Sequence, residues 1–505
     1  MHIPGFRNAP LRTIAIVLVL SSALQKNLAG APATDQASSA TPQRSTVQRS
    51  APPPRQTNLP NRNVPQRTVT RPAVQPPHTG YPATRPEPHP PVPRPGPSVS
   101  RPPQRPPQPY HPPQAGPQNS HYPRSFPGEK VVHSSTSHAI YGRDGHLRSW
   151  SGNGMTLQRG PNGSRSVFVE RADHSRIAVY PHGGGWVQRP FHVGGIEYGR
   201  RTYFMNGVAN DRFYRSYPFH GLSLSIYAPV RYYPADFYGW AYRPWGRHVN
   251  FSWGWQTNPW YRYYGGAFAP YAYYTAPSMF LTDYLLSSSM DAAYRQNYGN
   301  PNLPNPGVPQ PIAPLPAVTK KEIDIEIQRE MKELQQERDQ QPGNPPSNAP
   351  SGSIASVLAD YQPHTFVTGS EVLVVDSNGS ECALTPGDSV RVLPPPPAED
   401  TQTIDVKVAW GKGSQDCQAG STVTVALQDL QEMENFMRAT ADQGLDKIRT
   451  EQAIGTIPPA PPGAGAPPTP QSFPNSAPPP DTNVQTELNM QSQEADRAEQ
   501  TAPKP

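Results

Sequence analysis

Apolar and polar positions change rhythm several times along the chain. From residue 128 to about 220, short alternating runs are separated by turn signals. Ala139-Ile140-Tyr141 meets Arg143-Asp144-Gly145-His146 and then Leu147-Arg148-Ser149-Trp150. Met155-Thr156-Leu157 meets Pro161-Asn162-Gly163 and then Ser166-Val167-Phe168-Val169. Arg176-Ile177-Ala178-Val179-Tyr180 meets Gly183-Gly184-Gly185 and then Trp186-Val187. Asp-Gly and Asn-Gly between β-rich runs are hairpin signals, because these residues tolerate the positive φ that a tight turn requires. The pattern predicts a meander of six to eight short strands. It then passes into an aromatic run, and Phe280 to Leu286 followed by Met290, Ala292, Ala293 and Tyr294 predicts a helix packing back on the sheet.

A second helix is predicted over 319–340. Thr319 and Glu322 form a capping box, and Ile323, Ile327, Met331 and Leu334 follow at helical spacing. A coiled-coil seam is the sharper reading. Fewer than two heptads favour a helix docked on its own domain. From 353 to 450, Glu371 to Val375, Glu381 to Leu384, Ser389 to Leu393, Thr403 to Trp410 and Thr422 to Leu427 read as five strands. Five short strands in so few residues suggest a small half-open barrel. Leu427, Leu430, Met433, Phe436, Met437, Leu445 and Ile448 mark a C-terminal helix. The fold class is therefore mainly β: an irregular hairpin and meander domain over 128–298, then a small barrel with flanking helices over 353–450. Residues 299–318 and 341–352 read as linkers, and 451–505 as a disordered Pro-rich tail with no core.

Composition adds the N-terminal part. Pro supplies 70 of 505 residues and only 34% are apolar, so the chain cannot bury itself as one large globule. Residues 34–127 form a Pro/Arg-rich spacer, read as disordered, whose X-Pro pairs favour polyproline II and forbid helix or sheet. At its stiffest such a tract reaches on the order of 280 Å. Residues 1–33 read as a signal peptide: Arg7 and Arg12, then the apolar Ile14 to Leu24, then small residues to Ala33. The apolar run is too short to span a bilayer comfortably, and no later run is long enough. The expected location is outside the cytoplasm, in a periplasm or at the cell surface.

Charge is divided between the halves. Residues 1–300 carry 31 Lys and Arg against 11 acids, and 301–505 carry 13 against 27. The halves should attract each other or different partners, including self-association between basic 34–300 and acidic 318–450. Cys382 and Cys417 are the only cysteines, an even pair that reads as a disulfide in an exported protein. Two buried thiols are the alternative.

The run Tyr227 to Tyr284 holds 21 aromatic residues in 58 positions, with five of the eight Trp. Trp240, Trp245, Trp253, Trp255, Trp260 and Tyr261, with Arg262, are the candidate binding residues, since sugar rings stack on aromatic faces. The alternative is that these rings form the core of a domain poor in Leu, Ile and Val. No nucleophile elbow, phosphate loop, metal ligand set or cofactor motif is present. Asp236 and Asp283 are the acids a glycosidase reading would have to use. Nucleic acid is not an expected partner of an exported chain.

Arg200-Arg201-Thr202-Tyr203, Tyr238-Gly239-Trp240, Pro244-Trp245, Trp253-Gly254-Trp255 and Leu281-Thr282-Asp283-Tyr284-Leu285 resemble exported bacterial proteins of unassigned function. The resemblance covers about 130–300 and implies export without an activity. The turn Leu384-Thr385-Pro386-Gly387-Asp388 resembles bacterial SH3-like barrels, which implies a binding or assembly module. The expectation is a non-catalytic exported envelope protein with a structural or interaction role, bound to an envelope polymer or protein. A glycan- or wall-binding module is the alternative, and a carboxylate hydrolase the third reading.

Overall fold

The structure is a computed structural model. It describes residues 128–505 apart from 182–183, 206–207, 299–311, 341–349, 398–400 and 414–416. The expected signal segment, the Pro/Arg spacer and most of both linkers lie outside the described residues.

The protein is mainly β, with two large antiparallel sheets. The first has ten strands in sequence order: β1 (Lys130–His133), β2 (Ser137–Tyr141), β3 (Leu147–Gly152), β4 (Met155–Arg159), β5 (Arg165–Glu170), β6 (Arg176–Val179), β7 (Gly185–Val193), β8 (Ile196–Met205), β9 (Val208–Phe219) and β10 (Leu222–Tyr227). Two-residue loops fix the register at three hairpins. Asn153-Gly154, Gly194-Gly195 and His220-Gly221 all adopt positive φ at both positions, the conformation that matches strand twist. At Gly154 a side chain would also meet the Glu170 carbonyl oxygen at 2.5 Å. The meander thus runs through ten strands, more than the six to eight expected, because β8 to β10 carry it into the region before the aromatic run.

Then come β11 (Arg231–Tyr232), α1 (Ala235–Ala241), α2 (Pro259–Tyr264), the long helices α3 (Pro277–Tyr298) and α4 (Ala317–Asp339), and α5 (Ile354–Leu358). The second sheet is built from β12 (His364–Val367), β13 (Val372–Asp376), β14 (Glu381–Leu384), β15 (Ser389–Val392), β16 (Thr403–Trp410) and β17 (Thr422–Ala426), in the order β12-β15-β16-β17-β13-β14. A 27-residue helix, α6 (Leu427–Ala453), leaves this sheet, and β18 (Thr469–Pro470) and α7 (Val484–Thr501) close the chain. Cys382 in β14 is disulfide-bonded to Cys417, with Cα atoms 5.1 Å apart.

Three domain expectations are corrected. First, 128–298, 319–340 and 353–450 are not separate cores. Phe280, Leu281 and Leu285 of α3, Ile323 and Ile327 of α4, and Leu430 and Met437 of α6 share one buried cluster with Phe366 and Val408 of the second sheet. Apolar stripes on three helices face one another, and none could be covered alone. Second, the described end of the 299–318 segment is docked: Trp410 Nε1 donates to the Ala313 carbonyl at 3.0 Å, and Leu315 N donates to Ala267 at 2.8 Å.

Third, 451–505 is not a coreless tail. Val484, Leu488, Ala495, Ala498 and Ala502, spaced by three, four or seven residues, share one helical face and pack on Leu157, Val167, Val169, Ile177 and Val187 of the first sheet. Around this seam Arg159 pairs with Glu499, Arg165 with Asp496, and Arg189 with Asp481 at 2.7 Å. Before it, Phe473 stacks on Tyr198 at 4.6 Å, and β18 pairs with β11. Among the described residues no helix is long and apolar enough to cross a membrane.

Candidate functional site

The aromatic run folds inward. Trp240, Trp245, Trp255 and Trp260 are buried in the large cluster, while Trp253 and Tyr261 are half-buried against it. Trp253 stacks on Trp255 at 4.7 Å and lies 4.3 Å from Phe280. Of the seven candidate binding residues, Arg262 alone is exposed. A continuous stacking face made of these six rings is therefore corrected to a core. The reason is composition: this stretch has few aliphatic side chains, and its rings supply the apolar area that Leu and Val supply elsewhere. Trp240 and Trp245 still edge an open cleft, together with Arg247 and the Pro458–Pro461 segment.

Polar groups inside this core hold it together. Trp253 Nε1 donates to the Tyr274 hydroxyl, which donates to Asp283 Oδ2, each at 2.6 Å. The other oxygen, Oδ1, is ion-paired with Lys320 Nζ at 2.6 Å. Asp283 is fully buried. Burial pushes its carboxyl upward despite Lys320, and burial pulls the Lys320 ammonium down despite Asp283. Asp283 thus links α3 to α4, and Asp236 sits apart in the first turn of α1. Glu330, Glu333 and Glu434 bring carboxylate oxygens within 4.8 Å of one another, the kind of grouping that could hold a cation. Arg329 supplies charge to all three, and Arg438 to Glu330 and Glu333. The cluster is a buried ion network joining α4 to α6.

A different cleft opens where the first sheet meets the second. Its floor is Phe168, Ala178, Tyr180 and Trp186 from β5 to β7, bordered by Thr156, Gln158 and Ser166. Its walls are Ser370 to Leu373 at the start of β13, and Gln428, Asp429 and Glu432 at the start of α6. The cavity itself is small, about 60 Å³. Trp186 Nε1 donates to the Tyr180 hydroxyl at 2.9 Å, which fixes both rings.

Behind Trp186, Arg201 lies with its guanidinium carbon 3.8 Å from the indole centroid and 3.9 Å from that of Tyr214. It donates twice to Glu432, at 2.6 and 3.1 Å, and to Gln188 at 3.0 Å. Burial opposes its charge, and Glu432 and the neighbouring tyrosines outweigh burial, so Arg201 is held more firmly protonated than usual. Burial, then the charge of Glu432, pushes the Asp429 carboxyl up to about 7. The arrangement can hold a polar or cationic group over aromatic rings.

The sequence marks the floor residues and Glu371 only as strand positions, and none of this lining is among the candidate binding residues. The lining comes from three segments far apart in the chain. The one available signal was Asp429 and Glu432 at i, i+3 in the first turns of a helix whose apolar stripe was legible. Comparison with protein-family models, curated proteins and solved structures finds no match for this chain.

Proposed function

We propose that this chain is an exported, non-catalytic interaction protein of the cell envelope, attached to an anionic envelope polymer through its basic N-terminal segment. The observation that carries this reading is how charge is spent. In the folded part many of the arginines are matched by acids of the same chain, among them Arg201 by Glu432, Arg231 by Asp446, Arg189 by Asp481 and Arg159 by Glu499. Within the described residues, part of the opposite charge of the two halves is thus paired inside one molecule. Residues 34–127, by contrast, carry eleven Arg and no Lys against two acids. Arg suits bidentate contact with phosphate and carboxylate. The engagement of Asp283 with Lys320 and Tyr274, rather than with an open site, supports a role without catalysis.

The test is cell fractionation followed by co-sedimentation of the full chain with isolated cell wall. Salt-sensitive binding that falls when Arg85, Arg94, Arg101 and Arg105 are changed to Gln is the expected result. Recovery of the chain in the cytosol with an intact N-terminus, or binding indifferent to those four changes, would refute it. A second reading, stacking of wall glycan in the open cleft beside Trp240 and Trp245, rests on that cleft alone. It requires binding that survives high salt.

A further inference from the structure

The histidines have no ligand spacing along the chain, but the sheet register brings two of them to one carboxylate. His192 in β7 and Glu197 in β8 stand directly opposite each other, the second pair from the Gly194-Gly195 turn. His174 lies on the turn between β5 and β6. That turn is closed by Arg171 N donating to the Ser175 carbonyl at 2.9 Å and by His174 N donating to the Arg171 carbonyl at 3.0 Å. Glu197 Oε2 is 3.5 Å from His174 Nδ1 and 3.7 Å from His192 Nε2. The other oxygen, Oε1, accepts from the Ser216 hydroxyl at 2.6 Å, which orients the carboxylate and leaves Oε2 to the rings.

The spacing separates two readings of this trio. An imidazole hydrogen-bonded to a carboxylate holds N and O about 2.7–3.0 Å apart. This chain makes such a contact elsewhere, between His364 Nε2 and Asp360 Oδ1 at 2.9 Å. Both contacts with Glu197 are longer than that. Ligand atoms around a tetrahedral zinc ion, with bonds of about 2.0–2.2 Å, stand about 3.3–3.5 Å apart. Oε2 and the two ring nitrogens are thus close to the separations a shared ion imposes. The imidazoles are 54% and 66% exposed, so each can turn onto a common ion without disturbing the core. The buried carboxylates of Glu330, Glu333 and Glu434 differ in this respect, because Arg329 already pairs with all three.

We propose that His174 Nδ1, His192 Nε2 and Glu197 Oε2 bind a zinc-class divalent ion. Two imidazoles and one carboxylate suit zinc, nickel or copper, whereas magnesium prefers an all-oxygen shell. Three protein ligands leave a fourth position for water or for a donor from a bound partner. The ion ties the β5–β6 turn to the β7–β8 hairpin. This inference does not depend on wall attachment, and either can fail alone.

The experiment is calorimetric titration of the purified, metal-stripped full chain with zinc chloride, beside His174→Ala, His192→Ala, their double variant and Glu197→Gln. Saturable binding with a Kd on the order of 10 µM is expected. Each single change should weaken it about tenfold or more. Magnesium in large excess should not displace the zinc. Carbethoxylation of the unaltered chain, read residue by residue by mass spectrometry, gives a second measurement. Saturating zinc should protect His174 and His192 and leave the exposed His146 reactive. The proposal is overturned if no zinc binds up to about 1 mM, if the double variant binds as well as the unaltered chain, if magnesium competes, or if His174 and His192 stay reactive under saturating zinc. The last result comes from the unaltered chain and decides the matter even if a variant fails to fold.

Discussion

The two faces of the ten-stranded sheet use alternate residues of the same strands, yet they are covered in opposite ways. Val167, Val169, Ile177, Val179 and Val187 point to one side, where α7 lays a stripe of small side chains on them. The result is a dry seam, with ion pairs such as Arg165–Asp496 around it, where Asp496 is half exposed. Phe168, Ala178 and Trp186 point to the other side, joined by Tyr203, Arg201 and Tyr214. That side is met by α6 and the start of β13, which bring Glu371, Asp429 and Glu432 alongside Val372 and Leu373, and packing there leaves a cleft. A face closed by apolar contact gains stability and excludes ligands. A face closed by charge and rings keeps polar surface that a ligand can use.

The largest effect should come from breaking the seam. Leu488 is 1% exposed, so Leu488→Asp places a carboxylate against apolar strands. A loss on the order of 4 kcal/mol is expected, with release of α7. Thermal melts and the rate of proteolysis within 480–505 measure both. If α7 stays protected in this variant, the seam is not what holds it.

Next is the disulfide, which braces the cleft side alone, since β14 carries Cys382 and pairs with the cleft-lining β13. Reduction or Cys417→Ser should cost about 3 kcal/mol. Hydrogen exchange should rise in β13 and β14 and stay unchanged beneath α7. Uniform loss across both faces would mean that the two sides unfold as one unit.

A smaller contrast lies between ion pairs. A double-mutant cycle on Arg201 and Glu432 should return a coupling of about 2 kcal/mol, because Arg201 is buried and bidentate. The same cycle on Arg165 and Asp496 should return well under about 1 kcal/mol and vanish in salt. Equal couplings would erase the distinction between the faces.

The smallest effect concerns pH. The Asp429 carboxyl is pushed up by burial in the folded chain to about 7, from its ordinary 3.8. The folded state therefore binds the proton more tightly than the unfolded state. Stability linked to this group is fully present below about pH 4 and is lost as pH rises through about 7. Asp429→Asn removes that loss, so the variant should be the more stable protein at pH 8. Partial exposure limits the gain to about 1 kcal/mol or less. Melting temperatures across the pH range test the sign.

Much of this architecture is readable in the chain. Ile323, Ile327, Met331 and Leu334 announce α4, and all four are fully buried on it. The hairpin turns and the Leu427 to Ile448 stripe announce the meander and α6 in the same way. The terminal helix α7 was not readable, because its inward stripe is mainly Ala behind Val484 and Leu488, set in a Pro- and Gln-rich context. Small residues bury well only when a partner surface comes close, and nothing local reveals that surface. The aromatic run could be read as core or as binding face, and rings look the same in sequence either way.

The sequence by itself determined the periodic elements, the division of charge between the halves and the availability of one cysteine pair, because these follow from local spacing and composition. Only the tertiary structure decided that the Trp-rich run turns inward, that the acidic half neutralises arginines of its own chain, and that Trp186, Glu371 and Asp429 share a cleft. Each of those outcomes depends on which distant surface a segment meets, and burial and pairing energies are set by that meeting rather than by the segment alone.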